Sequence, residues 1–198
     1  MSPPVLLAGL FLICLVGADS GPVWPIPPDL WKPTPGSTPS KGNFVYLNSQ
    51  SGDCVGGGQN YTYTPLTALL SFTETWGILE VSMQGNEGWT GYFESMSFPA
   101  ALERGYYESV ERYPFNNASV GGFVWSGNGC GCNTLTGWFA MDAVTYKGGN
   151  LAFVSLRFEQ HCDGSSSALR GALRWDINDH QKPLGPTKPP KGLWTPPS

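Results

Sequence analysis

Alternation of apolar and polar residues, broken at short intervals by turn formers, constrains this chain more than any other feature. Between 151 and 160, Ala152, Val154, Leu156 and Phe158 fall on one face of an extended strand, and Phe153, Ser155, Arg157 and Glu159 on the other. The reason is that successive strand side chains point to opposite faces. Leu169, Gly171, Leu173 and Trp175 alternate with Arg170, Ala172 and Arg174 in the same way. Further candidate strands lie at 44–47, 61–64, 66–73, 78–83, 89–98, 106–112, 122–126 and 138–146. Turn signals separate nearly all of them: SGD at 51–53, GNEG at 85–88, NN at 116–117, GNG at 127–129 and KGGN at 147–150. Only 99–105 offers a helical turn. The expected architecture is an all-β, antiparallel, jelly-roll-like sandwich. A closed β-barrel is the alternative, because alternation alone does not say whether a sheet closes.

Residues 43–178 are long enough for one hydrophobic core. Charged residues and aromatics each make up 13% of the chain, and 26 glycines accompany them, a balance that suits a turn-rich β protein. On either side, 19–42 and 179–198 lack hydrophobic periodicity and are dense in proline, which removes backbone donors. Both read as extended or disordered arms. Each sets Trp and Leu among prolines, DLWKP at 29–33 and KGLWTP at 191–196. As stiff spacers they stay extended without packing; as anchors, exposed Trp24, Trp31 and Trp194 tie the protein to a partner or matrix. Trp138 and Trp175 are expected inside the fold, and Trp31 and Trp194 outside it.

The apolar run VLLAGLFLICLV at 5–16 is too short to span a bilayer, and Val16 and Ala18 place small residues where a signal peptidase cuts. Residues 1–18 therefore read as a signal peptide, in preference to an uncleaved anchor, and no later segment reads as a membrane span. The expected location is secreted and extracellular. Cys14 leaves with the signal, so Cys54, Cys130, Cys132 and Cys162 remain, an even number in an oxidising compartment. Two disulfides are expected. A Cys130–Cys132 bridge is strained by the single residue between its ends, which leaves Cys54 with one of that pair and Cys162 with the other. Zinc is disfavoured, because its sites prefer C-x2-C spacing. With 11 basic and 15 acidic residues the net charge is −4, which argues against nucleic acid as a partner.

Candidate sites are few. Glu159, His161 and Asp163 cluster near one strand end, and a structural histidine bonded to its neighbouring glutamate outweighs a metal ligand there. His180 lies in the tail. No G-x-S-x-G, H-E-x-x-H or G-x-x-x-x-G-K-[ST] motif occurs, and the GGG at 56–58 reads as a turn. Glu80, Glu94, Glu108, Glu111 and Asp142 keep a two-carboxylate glycosidase in view. No cofactor is expected; calcium is the one metal for which the turns at Asp53, Asp142 and Asp163 offer ligands, against the competing reading that these aspartates stabilise their own turns. Sequons place N-glycans at Asn60 and Asn117. Trp76, Trp89, Tyr92, Tyr106, Tyr107, Tyr113, Trp125 and Trp138 suffice for a core and for a sugar-stacking platform, with core packing the default.

At GCNTLTGWF (131–139), RFEQHC (157–162), ALRG (168–171) and ERYPF (111–115) the chain resembles a poorly characterised family of exported β-domains in bacterial surface and secreted proteins. The resemblance spans about 43–175 and implies a fold rather than an activity. It also implies Cys132–Cys162 as the shared bridge and Cys54–Cys130 as an added one. The signal peptide and proline-rich arms are similar to those of animal extracellular proteins, shell or skeletal matrix components among them. The expected function is a secreted, non-catalytic adhesion protein of an extracellular or mineralised matrix, with matrix components or glycans as partners. A carbohydrate-binding module is the alternative, and a glycoside hydrolase with paired carboxylates the third reading.

Overall fold

The KGGN turn at 147–150 is the clearest case of local sequence setting architecture. Gly148 and Gly149 have φ of 59° and 80°, the double positive that a two-residue type I′ hairpin turn needs and that glycine adopts without a Cβ penalty. It joins the two longest strands in a computed structural model that describes residues 25–96, 101–183 and 185. In chain order the strands are β1 (Phe44–Ser49), β2 (Asn60–Tyr63), β3 (Leu69–Thr75), β4 (Ile78–Gln84), β5 (Gly88–Glu94), β6 (Gly105–Tyr107), β7 (Glu111–Arg112), β8 (Gly122–Gly127), β9 (Leu135–Lys147), β10 (Asn150–Cys162) and β11 (Ala168–Asp176).

They form two open sheets, β2-β1-β11-β10-β9-β6 and β3-β4-β5-β8-β7, packed as a β-sandwich and not closed into a barrel. Every pairing is antiparallel except the short parallel contact of β7 with β8. The 106–112 segment, expected as one strand, is two: β6 ends the first sheet and β7 edges the second. Between them Ser109 takes a left-handed φ of 53° while Val110 is buried, so the chain crosses from one sheet to the other at that point. No helix occurs at 101–105, and 97–100 lie outside the described residues. Among those residues no helix is long and apolar enough to cross a membrane.

Aromatic rings from both sheets meet in the core. Phe93 on β5 lies 5.0 Å from Phe123, 5.5 Å from Phe139 and 5.8 Å from Phe158 between ring centroids, and edge and offset contacts of this kind add to the gain from area burial. Gly171 makes room for them, since a Cβ there would sit 2.1 Å from the Phe158 ring. Disulfides join Cys54 to Cys130 and Cys132 to Cys162. The first staples the loop after β1 in one sheet to the loop after β8 in the other. Two disulfides are compatible with an extracellular location.

One polar residue bridges the layers. β7 covers only Gly122 and Phe123 of its neighbour, and Gln160 of β10 takes over further along. Its amide accepts from the Trp125 N–H at 2.8 Å and donates to the Trp125 carbonyl at 2.9 Å. A side chain from one sheet thereby supplies the strand partner that the other lacks, in a site only 1% exposed.

Candidate functional site

The outward face of the six-stranded sheet carries the most elaborate constellation. Register places Tyr46, Ala172, Arg157, Ala140 and Tyr106 in one row across β1, β11, β10, β9 and β6. The two alanines make a trough on either side of Arg157. Pairing shifts between Ser155/Ala143 and Leu156/Met141, so Asp142 is an unpaired bulge residue on β9; a bulge re-aims side chains locally. Arg157 donates from Nε and Nη2 to the two Asp142 oxygens, both at 2.7 Å, a bidentate geometry that fixes the guanidinium plane. Its Nη1 remains, and it donates to the carbonyl of Trp31 at 2.7 Å.

Trp31 therefore does not project outward as expected of an anchor in a free arm. Its ring stacks on Tyr46 with centroids 6.4 Å apart and planes 6° from parallel, and together with Phe44, Tyr46 and Ala172 it forms a small second apolar cluster outside the main core. The arm is held because the face offers both an apolar surface for the ring and a charged donor for the backbone. Residues 25–42 are coil and turns, and Trp31 lies against the sheet. Trp24 and Trp194 lie outside the described residues.

Beside this row, Glu159 accepts from Arg170 Nε at 2.5 Å and contacts His161 Nε2 at 3.3 Å. Burial pushes the Glu159 carboxyl up, but the hydrogen bonds and charges of Arg170 and His161 outweigh it and hold it below the ordinary value. Trp138, expected inside, is half-buried on this outer face, 6.1 Å from Tyr106. Burial raises the Tyr106 phenol, with further upward pushes from Glu108, Glu159 and the arm residue Asp29. Trp175 is half-buried too, stacked 6.1 Å from Phe72 at the core's margin.

Of the three aspartates expected to stabilise their own turns, only Asp53 does so; Asp142 lies in β9 on Arg157, and Asp163 holds the backbone of the neighbouring 133–134 loop. Asp53 Oδ2 accepts from Ser49 Oγ at 2.6 Å and Gly56 N at 2.8 Å. Asp163 Oδ1 accepts from Asn133 N at 3.0 Å and Thr134 N at 2.8 Å. They line a hollow of 320 Å³ between the two loops, and among the described residues no group of three His, Cys, Asp or Glu is placed to hold a metal ion.

The outward face of the five-stranded sheet differs in kind. Ser71, Ser82, Thr90 and Ser126 align across four strands. In a neighbouring row Tyr92 stacks on Tyr113 at 4.9 Å and donates to Glu80 at 3.3 Å. Glu94 accepts from Asn116 at 2.7 Å, Glu111 accepts from the Asn117 N–H at 2.7 Å, and Arg112 covers the Phe115 ring. Trp89 and Trp125 belong to the core instead, as does Tyr107, whereas Trp76 is 71% exposed at the β3–β4 turn. Asn60 and Asn117 are both exposed.

Sequence reasoning named Trp31 and Asp142 but did not connect them, and it missed Tyr46 and Gln160 altogether. Cross-strand register and the Asp142 bulge bring the first group together, and neither can be read from periodicity. Compared with protein-family models, with curated proteins and with solved structures, the chain matches none.

Proposed function

We propose that this protein is a secreted, non-catalytic adhesion component of an extracellular matrix, mineralised matrices included, and that it is related to the exported β-domains it resembles. One observation carries the reading: a proline-flanked segment lies in a built site, its Trp31 ring on Tyr46 and its carbonyl on the buried Arg157. A disulfide-stapled sandwich that holds such segments is a binding scaffold rather than a reaction vessel. Both sequons are exposed, which suits glycans at Asn60 and Asn117. The test is to locate the native protein in tissue and to challenge the pure full chain with chitin, glycan arrays and calcium carbonate. Retention by at least one of these and a matrix location are expected; a protein that binds none and lies outside any matrix overturns the reading.

A second reading, a carbohydrate-binding module, is favoured by the outer face of the five-stranded sheet. There the Tyr92–Tyr113 pair adjoins Glu80 and stands beside an aligned row of hydroxyls, the mix of ring faces and hydrogen-bonding groups that sugars require. Loss of glycan retention in Tyr92→Ala, with chitin or an oligosaccharide array as probe, is the result this reading expects.

A further inference from the structure

The site that holds Trp31 reads only part of the arm. It takes the ring through Tyr46 and the carbonyl through Arg157; Leu30 and Pro33 are half-buried on either side of Trp31, as Ile26 and Pro27 are further back, and Lys32 is exposed. The bound Trp31 stands in the sequence Leu-Trp-x-Pro, whose proline keeps the backbone extended. That pattern occurs a second time in the chain, as Leu193, Trp194, Thr195 and Pro196. The one position that differs between the copies, Lys32 against Thr195, is the one that faces solvent.

Arm and tail leave the fold at the same corner. Asn43 N donates to Asp179 Oδ2 at 2.6 Å and Asn43 Oδ1 accepts from Asp176 N at 2.6 Å. Trp31 precedes Asn43 by twelve residues and Trp194 follows Asp179 by fifteen. In chain order, however, the arm passes from Trp31 on the face to Asn43 at that corner, whereas the tail begins there. A tail laid directly over its own face would present the pattern in reverse order, whereas a tail arriving from another molecule meets no such constraint.

We propose that the trough at Arg157 and Tyr46 is a receptor for Leu-Trp-x-Pro segments, plugged in each molecule by its own arm, and that its second occupant is the 193–196 segment of another copy of this chain. A tethered plug acts at an effective concentration of about millimolar, so self-association stays weak while Trp31 is in place and strengthens when it is removed. The contact joins the trough of one copy to the tail of another, so it gives reciprocally exchanged dimers, rings or open chains. This is independent of which matrix surface the protein adheres to.

The test uses the full chain, expressed by a secretory route so that both bridges form. In sedimentation velocity, Trp31→Ala is expected to give concentration-dependent oligomers, and Trp31→Ala/Trp194→Ala to remain monomeric. A fluorescein-labelled peptide of residues 190–197 is expected to bind the double variant about tenfold or more tighter than it binds Trp194→Ala with the arm intact. Oligomers that persist without Trp194 would mean general stickiness of an uncovered face and overturn the proposal. So would a Trp31→Ala chain that stays monomeric, whether or not the peptide binds. Should Trp31→Ala fail to fold by near-UV circular dichroism, the peptide is titrated in excess into Trp194→Ala, where saturable binding supports the receptor and its absence overturns it.

Discussion

Arg157 and Asp142 are joined by two parallel hydrogen bonds of 2.7 Å, and the one guanidinium nitrogen left over binds the carbonyl of Trp31. The Arg157 side chain is 10% exposed and that of Asp142 31%, so the pair is partly shielded from water. Asp142→Asn leaves a shielded cation without its counter-charge and is expected to cost about 2–4 kcal/mol, below the full cost of breaking a buried pair because Asp142 still meets solvent. Urea unfolding measures this, and faster chymotryptic cleavage after Trp31 reports release of the arm. A double replacement, Arg157→Met with Asp142→Ala, is expected to recover much of the loss, since no uncompensated charge then remains.

Gln160→Leu is expected to be more damaging than its size suggests. The Trp125 N–H and carbonyl would both lose their partner in a site closed to water, and each unsatisfied buried group costs about 1–3 kcal/mol. A loss of at least about 2 kcal/mol in urea unfolding is expected; a neutral outcome would show that the sheets hold without this bridge.

Trp76 stands first in the two-residue turn between β3 and β4 with φ of 55°, followed by Gly77 at 78°. A bulky residue there is strained, and the ring, 71% exposed, makes little contact in return. Trp76→Asn is expected to raise stability by about 0.5–1 kcal/mol, because asparagine favours this region. Thermal unfolding checks the sign.

Stability should fall at both ends of the pH scale through identifiable groups. Glu159 is held below its ordinary value in the folded protein, so its contribution is complete above the unfolded value of about 4.3 and is lost as pH drops through the lowered one. Tyr63 moves the other way. Burial, reinforced by its hydrogen bond to Glu87, pushes the phenol from 10.0 up to about 12, so its contribution is complete below the unfolded value and fades as pH rises toward 12. Denaturation midpoints measured against pH should flatten on the acid side in Glu159→Gln and on the alkaline side in Tyr63→Phe.

The two disulfides should differ in access. Cys132 and Cys162 are 2% and 7% exposed, whereas Cys54 is exposed outright. Mild reductant followed by alkylation is expected to label Cys54 and Cys130 first. Replacing either bridge by serines is expected to cost about 2–4 kcal/mol, chiefly by freeing the unfolded chain.

Periodicity and turn residues were enough to determine the all-β class and the placement of most strands, because both signals are local. Phe158 or Leu173 faces the core by strand alternation, and KGGN makes its hairpin by its own backbone preferences. What the sequence could not settle depends on pairs distant along the chain. The 106–112 segment reads as one strand because nothing local says that Ser109 switches sheets; Gln160 reads as one more polar residue because the short reach of β7 is visible only from its neighbours. Trp31 reads as a free anchor because its partners, Tyr46 and Arg157, are assembled by cross-strand register and by a bulge at Asp142. Alternation assigns a residue to a face, but only the tertiary structure decides what covers that face, since burial of an outward row depends on a segment that carries no periodic signal of its own.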